Sequence, residues 1–281
     1  MANVVPLALI MSSFVAASRI GGSAQQYVLA AHRIDPVLAP TSLDGRSPAK
    51  GSQGEVTQPE VFARMLADME ADATFGLLDL VITGHFSLPE QVEIAAGVLR
   101  RVRAASERPP VVVVDPIMGD APKGLYVPEA VAEAVARHLV PLADWITPNL
   151  WELSRLARRP VTTLAEARAA VDIVGRPALV TSAPAGDGQI GLLFDDGAEA
   201  VLFGHPRLET VPSGTGDLVA ATFGAGLTKG LSGRAAAELA ARAVADAAAA
   251  AQDSRSSDLP LVAMAERLAQ PSAQVSVLRL A

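Results

Sequence analysis

Apolar and polar positions follow two different rhythms along this chain, and the rhythm switches repeatedly from one to the other. Short, nearly continuous apolar runs at Val4 to Ile10, Leu77 to Thr83, Val111 to Val114, Trp145-Ile146 and Ala178 to Thr181 predict buried strands. Between them, helical spacing predicts helices over Ala24 to Ala31, Pro59 to Glu70, Pro89 to Ala105, Glu129 to His138, Leu150 to Arg158 and Leu164 to Val174. Strands that alternate with helices build right-handed βαβ units around a mostly parallel sheet. The uninterrupted valines of Val111 to Val114 indicate that both faces of that sheet are covered. Later the pattern changes: Gln189 to Phe194 and Glu199 to Phe203 flank Asp195-Asp196-Gly197, which predicts an antiparallel pair at one edge. An alanine-dense helix over Gly233 to Ser254, a helix over Leu261 to Leu268 and an edge strand within Gln274 to Leu280 complete the series. Pro40 to Pro59, nearly without hydrophobics, reads as a connector or as a mobile flap over a site.

In a parallel α/β sheet, ligands bind beyond the carboxyl ends of the strands. Ser12, His85, Asp115, Thr147-Pro-Asn149 and, one helical turn on, Glu152 all fall there. Each has a plain alternative. Ser12 can simply turn the chain, His85 can be a half-buried loop histidine, Asp115 and Asn149 can be turn formers or caps, and Glu152 a solvated helix residue. Their common placement along one edge favours a site.

Thr210 to Leu227 carries the sharpest local signal: Ser213-Gly-Thr-Gly-Asp217 followed by an apolar run. Gly214 to Gly216 predict a tight turn that opens a helix near Asp217, so that free backbone N–H groups and the helix dipole converge on one point. Such a point suits a phosphate or a phosphoryl group in transfer. A carboxylate beside it would repel a bound phosphate unless it faces an attacking hydroxyl and takes its proton, which is general-base geometry. The other reading of Asp217 is a helix N-terminal residue stabilised by the dipole.

Composition narrows the partners. The chain has 281 residues, 50% of them hydrophobic, a net charge of −7 and no cysteine. That is ample for a sizeable core, and the absence of cysteine excludes disulfides, thiolate metal sites and a cysteine nucleophile. An acidic chain is not expected to bind nucleic acid or an anionic membrane. The absence of cysteine fits a reducing cytoplasm, the expected location, and the apolar start, which lacks a basic segment and is too short to span a bilayer, reads as a first buried strand. We see no internal repeat and no convincing linker, which predicts one domain over residues 1–281.

Several of these motifs occur together, in order. Val113-Val-Asp115-Pro-Ile-Met-Gly-Asp120, Lys123-Gly-Leu-Tyr-Val-Pro128, Ala143-Asp-Trp-Ile-Thr147-Pro-Asn149-Leu-Trp-Glu152-Leu, Val180-Thr-Ser182 and Gly214-Thr-Gly-Asp217 resemble the pyridoxal kinases of the ribokinase-like superfamily, over roughly Leu77 to Gly230. The resemblance implies a three-layer α/β/α sandwich with a mostly parallel central sheet and an antiparallel edge. It implies transfer of the ATP γ-phosphoryl group to the 5′-hydroxymethyl of pyridoxal or a related B6 vitamer in vitamin B6 salvage. In that scheme Asp217 is the base and Gly214, Thr215 and Gly216 form the anion hole. Asp115 and Glu152 would orient Mg²⁺ and its waters, and a monovalent cation stays open. Thr147, Asn149, Thr181, Ser182 and Thr215 would lie along the nucleotide, and Ser12, His85 and Asp217 on the acceptor side. Gly119 to Tyr126 would be a lid, and the working unit a homodimer.

The acceptor side departs from the family pattern. Gly21-Gly22 stands where Gly-Asn is usual, His85 where a tyrosine is usual, and Arg46-Ser47-Pro48 where Asn-His-Thr or Asn-His-Pro is usual. Gly21-Gly-Ser-Ala-Gln-Gln26 echoes instead the Gly-Gly-Ala-x-x-Gln loop of hydroxymethylpyrimidine kinases of thiamine synthesis, the rival within the superfamily. Gly119 to Val127 is in the pyridoxal kinase style. Outside catalysis, the alternative is a catalytically weak protein that only sequesters a vitamer, against which the retention of Asp217 and a full anion hole argues.

Overall fold

The computed structural model describes residues 5–47, 51, 54–208, 212–254 and 258–280. Its centre is a ten-stranded sheet. In chain order its strands are β1 (Leu7–Val15), β2 (Asp35–Asp44), β3 (Glu55–Val56), β4 (Leu78–Thr83) and β5 (Val111–Val114). A separate hairpin, β6 (Gly119–Asp120) with β7 (Gly124–Leu125), interrupts the series. The sheet resumes with β8 (Trp145–Ile146), β9 (Ala178–Pro184), β10 (Gln189–Asp195), β11 (Ala200–Pro206) and β12 (Ser276–Leu280). Its strands lie in the order β12-β11-β10-β9-β8-β5-β4-β1-β2-β3. Neighbours from β9 through to β2 pair in parallel, while β10, β11 and β12 add antiparallel strands at one edge and β3 does so at the other.

The side-chain parity of the strands builds the layers. Leu9, Met11, Val81, Val112 and Val114 pack on one face, against α2 (Pro59–Ala71), α3 (Pro89–Ala105), α4 (Glu129–Ala134), α5 (Leu150–Leu156) and α6 (Leu164–Val174). Ala8, Ile10, Leu80, Ile82 and Val113 pack on the other, against α1 (Gly21–Ala31), α7 (Thr215–Thr228), α8 (Gly233–Ser254) and α9 (Ala265–Ala269). This is the expected three-layer sandwich. Helix α7 is buried from Leu218 to Gly226 because it lies between the sheet and α8. Small residues let it sit so deep: a Cβ on Gly226 would stand 2.9 Å from the Cβ of Ala236 on α8. The alanine run of α8 is therefore a close-packing surface.

Three expectations need correction. The first strand extends past Ile10 to Val15, so Ser12 and Ser13 lie inside it and do not form a turn. The stretch from Pro40 is not wholly a connector or flap, since Asp35–Asp44 is a strand beside β1 and Glu55–Val56 a short one beside it. Prolines at 36 and 40 masked it in the sequence; they are tolerated because β3 covers the outer side of β2 only at Ser42 and Leu43. Finally, Leu261 to Met264 is a turn that precedes the short α9.

Candidate active site

Parallel strands bring their carboxyl ends to one edge, and the predicted polar residues assemble there. Helix α7 starts at Thr215, and its N-cap Gly214 has φ +96° with no side-chain cap. A Cβ on Gly214 would lie 2.1 Å from the Arg19 carbonyl oxygen, so both conformation and contact demand glycine. At Gly216 the requirement differs: a Cβ there would meet nothing within 4 Å, because the residue faces open space. The Leu218 N–H makes the i→i−4 bond to Gly214 O at 3.0 Å. The N–H groups of Thr215, Gly216 and Asp217 come earlier in the first turn, where a helix offers them no carbonyl.

Asp217 is buried, and its carboxylate is held on the side of α1: Oδ2 accepts from the Gly21 N–H at 2.7 Å and Oδ1 from Gln25 Nε2 at 3.3 Å. Burial pushes its carboxyl up to about 6, opposed by the Gly21 bond. A carboxyl so tuned is deprotonated at neutral pH and basic enough to take a proton. Sequence reasoning missed Gln25, whose helical position looked like any other in a polar pair. Only the packing of α1 on α7 reveals it.

Asp115 follows β5 and is buried beside two other acids. Burial raises its carboxyl well above the usual range, and the charges of Glu152 and Asp217 raise it further. Glu152 is 4% exposed, which excludes the solvated-helix reading. Its Oε1 accepts from the N–H groups of Met118 at 2.7 Å and Gly119 at 3.4 Å, and its Oε2 from Asn149 N–H at 2.9 Å. Burial outweighs these donors and brings its carboxyl to about 7. Asn149 caps α5, accepting from Glu152 N–H at 2.9 Å and donating from Nδ2 to Gly119 O at 2.8 Å. Together they pin the root of the β6–β7 hairpin, the expected lid. Asn149 is thus a helix cap, its amide spent within the protein.

The donor set suits Mg²⁺. The charges of the buried Glu152 and Asp217 raise the proton affinity of Asp115, a conflict that a cation relieves. Among the described residues no group of three or more His, Cys, Asp or Glu forms a cage by itself. Thr147 is buried beside Asp115, and its hydroxyl opposes the rise in that carboxyl's proton affinity.

A cavity of about 390 Å³ opens in front of α7, with Thr181, Ser182, Thr215 and Gly216 on its polar side. Ile190, Leu192, Val219, Val244 and Ala248 make its apolar side, and His205 and Arg207 also line it. Its volume is of the size that holds a small ligand. The sequence named the polar side; the apolar side and His205 came unannounced, because they depend on how α8 packs against the β10–β11 hairpin.

Across from it, Ser12 is fully buried and its Oγ accepts from the His85 N–H at 3.2 Å. Thr41 Oγ1 donates to the His85 carbonyl at 2.6 Å. Burial lowers the His85 imidazole below its usual value, opposed by the charge of Asp44, and its buried Nδ1 has no hydrogen-bond partner among the described residues. Gly22 fits because a Cβ there would come within 2.4 Å of Leu38 Cδ1, so a neighbouring side chain occupies the room that a larger residue would need. Ser47 N–H donates to Ser18 Oγ at 3.3 Å, and Pro48 lies outside the described residues.

The family model described as phosphomethylpyrimidine kinase matches residues 28–261. A pyridoxine/pyridoxal/pyridoxamine kinase of Bordetella avium is 33% identical over 257 residues, 89% of this chain and 86% of that protein. A pyridoxal kinase of Leifsonia xyli subsp. xyli is 30% identical over 281 residues, 96% of this chain and 98% of that protein. Among solved structures, a pyridoxal kinase from Leishmania donovani in complex with ADP and pyridoxamine shares the fold with a TM-score of 0.90 at 24% identity, over 98% of this chain and 99% of that one. Family match, near-complete coverage and a shared architecture agree with the motifs around Asp217: the chain belongs to the pyridoxal kinases of the ribokinase-like superfamily.

Proposed function

We propose that this chain is an ATP-dependent pyridoxal kinase that phosphorylates the 5′-hydroxymethyl group of pyridoxal and related B6 vitamers, with Asp217 as the general base. One observation carries the reading. Thr215 and Gly216 line the cavity from the first turn of α7, where a helix offers their N–H groups no carbonyl, while the next residue holds a buried carboxylate, raised to about 6, against Gly21 of α1. Phosphoryl transfer depends mainly on such positioning and electrostatics. The N–H groups stabilise charge on the migrating phosphoryl group. Asp217, oriented by Gly21 and Gln25, takes the proton of the attacking hydroxyl. Asp115 and Glu152 would hold Mg²⁺ through its waters, and the ion would supply charge neutralisation on the phosphates. Thr147, Asn149, Thr181 and Ser182 belong to the nucleotide side, Asn149 by fixing the lid. Ser12 and His85 hold the acceptor. The lid excludes water as a competing acceptor.

One sheet that takes an inner strand from Leu7–Val15 and an edge from Ser276–Leu280 supports a single kinase domain over residues 1–281. No described helix is long and apolar enough to cross a membrane. A homodimer acting in the cytoplasm is part of the reading, and sedimentation velocity tests the dimer. The catalytic reading is tested by ATP consumption over pyridoxal, pyridoxine, pyridoxamine and hydroxymethylpyrimidine. Turnover with the B6 vitamers is expected to exceed that with hydroxymethylpyrimidine. Phosphorylation of hydroxymethylpyrimidine alone would transfer the chain to the thiamine branch.

A further inference from the structure

His205 is the polar intruder on the apolar side of the cavity. Strand parity puts it there: Val201 and Phe203 of β11 face α7 and α8, so His205 does too, and it pairs across the ladder with Ile190 of β10. Its Nδ1 lies 3.0 Å from the carbonyl oxygen of Pro206. A carbonyl only accepts, so Nδ1 carries the proton. In a neutral imidazole the second nitrogen, Nε2, is then an acceptor. Burial lowers the ring's proton affinity and keeps it neutral. A slot walled by Ile190, Leu192 and Val244 suits a flat heteroaromatic ring, and one fixed acceptor at its margin can tell a donor edge from an acceptor edge.

We propose that His205 reads the base of the phosphoryl-donor nucleotide, its Nε2 accepting a hydrogen bond from an exocyclic amino group, so that the chain selects a 6-aminopurine over a 6-oxopurine triphosphate. The inference rests on the cavity being the donor-nucleotide site, as proposed above. It makes His205 a specificity-determining residue that acts on nucleotide affinity and not on the transfer step. Arg207 also lines the cavity, but a guanidinium only donates, and a base read by it would show the opposite preference.

The test compares KM and kcat for ATP, inosine triphosphate and purine riboside triphosphate, which lacks any 6-substituent. With the unmodified protein, both analogues should raise KM by about tenfold or more relative to ATP with kcat little changed, the scale of one lost pairing in a buried site. In His205→Leu the spread between ATP and purine riboside triphosphate should collapse to within about threefold. Equal KM values in the unmodified protein, a preference for inosine triphosphate, or an undiminished ATP preference in His205→Leu would each overturn the proposal. Val244→Trp fills the slot and should weaken all three nucleotides alike. If it leaves the KM for ATP unchanged, the placement of the nucleotide is at fault, and the reading of His205 falls with it.

Discussion

Replacing Asp217 by asparagine should make the protein more stable and nearly inactive, an opposition that separates a base from a structural residue. The carboxyl is raised by burial from its ordinary 3.8 to about 6. Below the lower value both the folded and the unfolded chain hold the proton, and burial costs nothing. Between the two values the unfolded chain ionises first, so stability falls as pH rises. Above about 6 the cost is constant at roughly 3 kcal/mol, because each tenfold change in proton affinity on folding is worth about 1.4 kcal/mol. A neutral amide of the same shape avoids that cost. Its oxygen can keep the Gly21 N–H, while its NH₂ group would face Gln25 Nε2, donor against donor. Gln25 Oε1 is buried without a partner, so rotation of that amide turns the conflict into a hydrogen bond. Chemical denaturation near pH 8 should therefore show Asp217→Asn to be more stable, by up to about 3 kcal/mol, with the gain vanishing near pH 4. In the ATP-consumption assay kcat should fall by about a hundredfold or more. The unmodified enzyme's kcat/KM should rise with pH through about 6 and then level. Pyridoxal turnover within a few-fold of the unmodified enzyme, or a variant less stable at pH 8, would refute the reasoning.

Other substitutions separate scaffold from chemistry. Gly214→Ala forces a Cβ into the Arg19 carbonyl at φ +96°, so thermal denaturation should show a loss of about 2 kcal/mol or more. Gly216→Ala meets no protein atom within 4 Å, so stability should hold or rise by about 0.5–1 kcal/mol while ATP turnover collapses; retained turnover would mean that no anion approaches there. Glu152→Gln turns one of its two acceptors into a donor against backbone N–H groups and removes the charge proposed to hold Mg²⁺, and should raise the KM for ATP, as a nucleotide titration would show. Ser12→Ala strands the His85 N–H and should raise the KM for the vitamer while leaving that for ATP in place; equal effects on both would remove Ser12 from the acceptor side.

Local pattern was enough to specify most elements of this protein. Pro89–Ala105, Val111–Val114, Leu164–Val174 and Gly233–Ser254 have the bounds that their periodicity predicts, because burial of one face or of both leaves a record in the order of residues. The glycine turn that opens α7 was legible for the same reason: Gly214 needs its glycine for a conformation that the adjacent residues express locally. Contacts between distant segments left no such record. The strand at Asp35–Asp44 was hidden by prolines that only its place near the sheet edge makes tolerable. The Gly21 and Gln25 bonds to Asp217 join residues nearly two hundred positions apart, and His205 enters the cavity because β11 folds over α8. The sequence determined which groups could do chemistry. Tertiary packing decided which of them are stripped of water and held against one another, and desolvation, a property of the surroundings and not of the residue, is what sets their proton affinities.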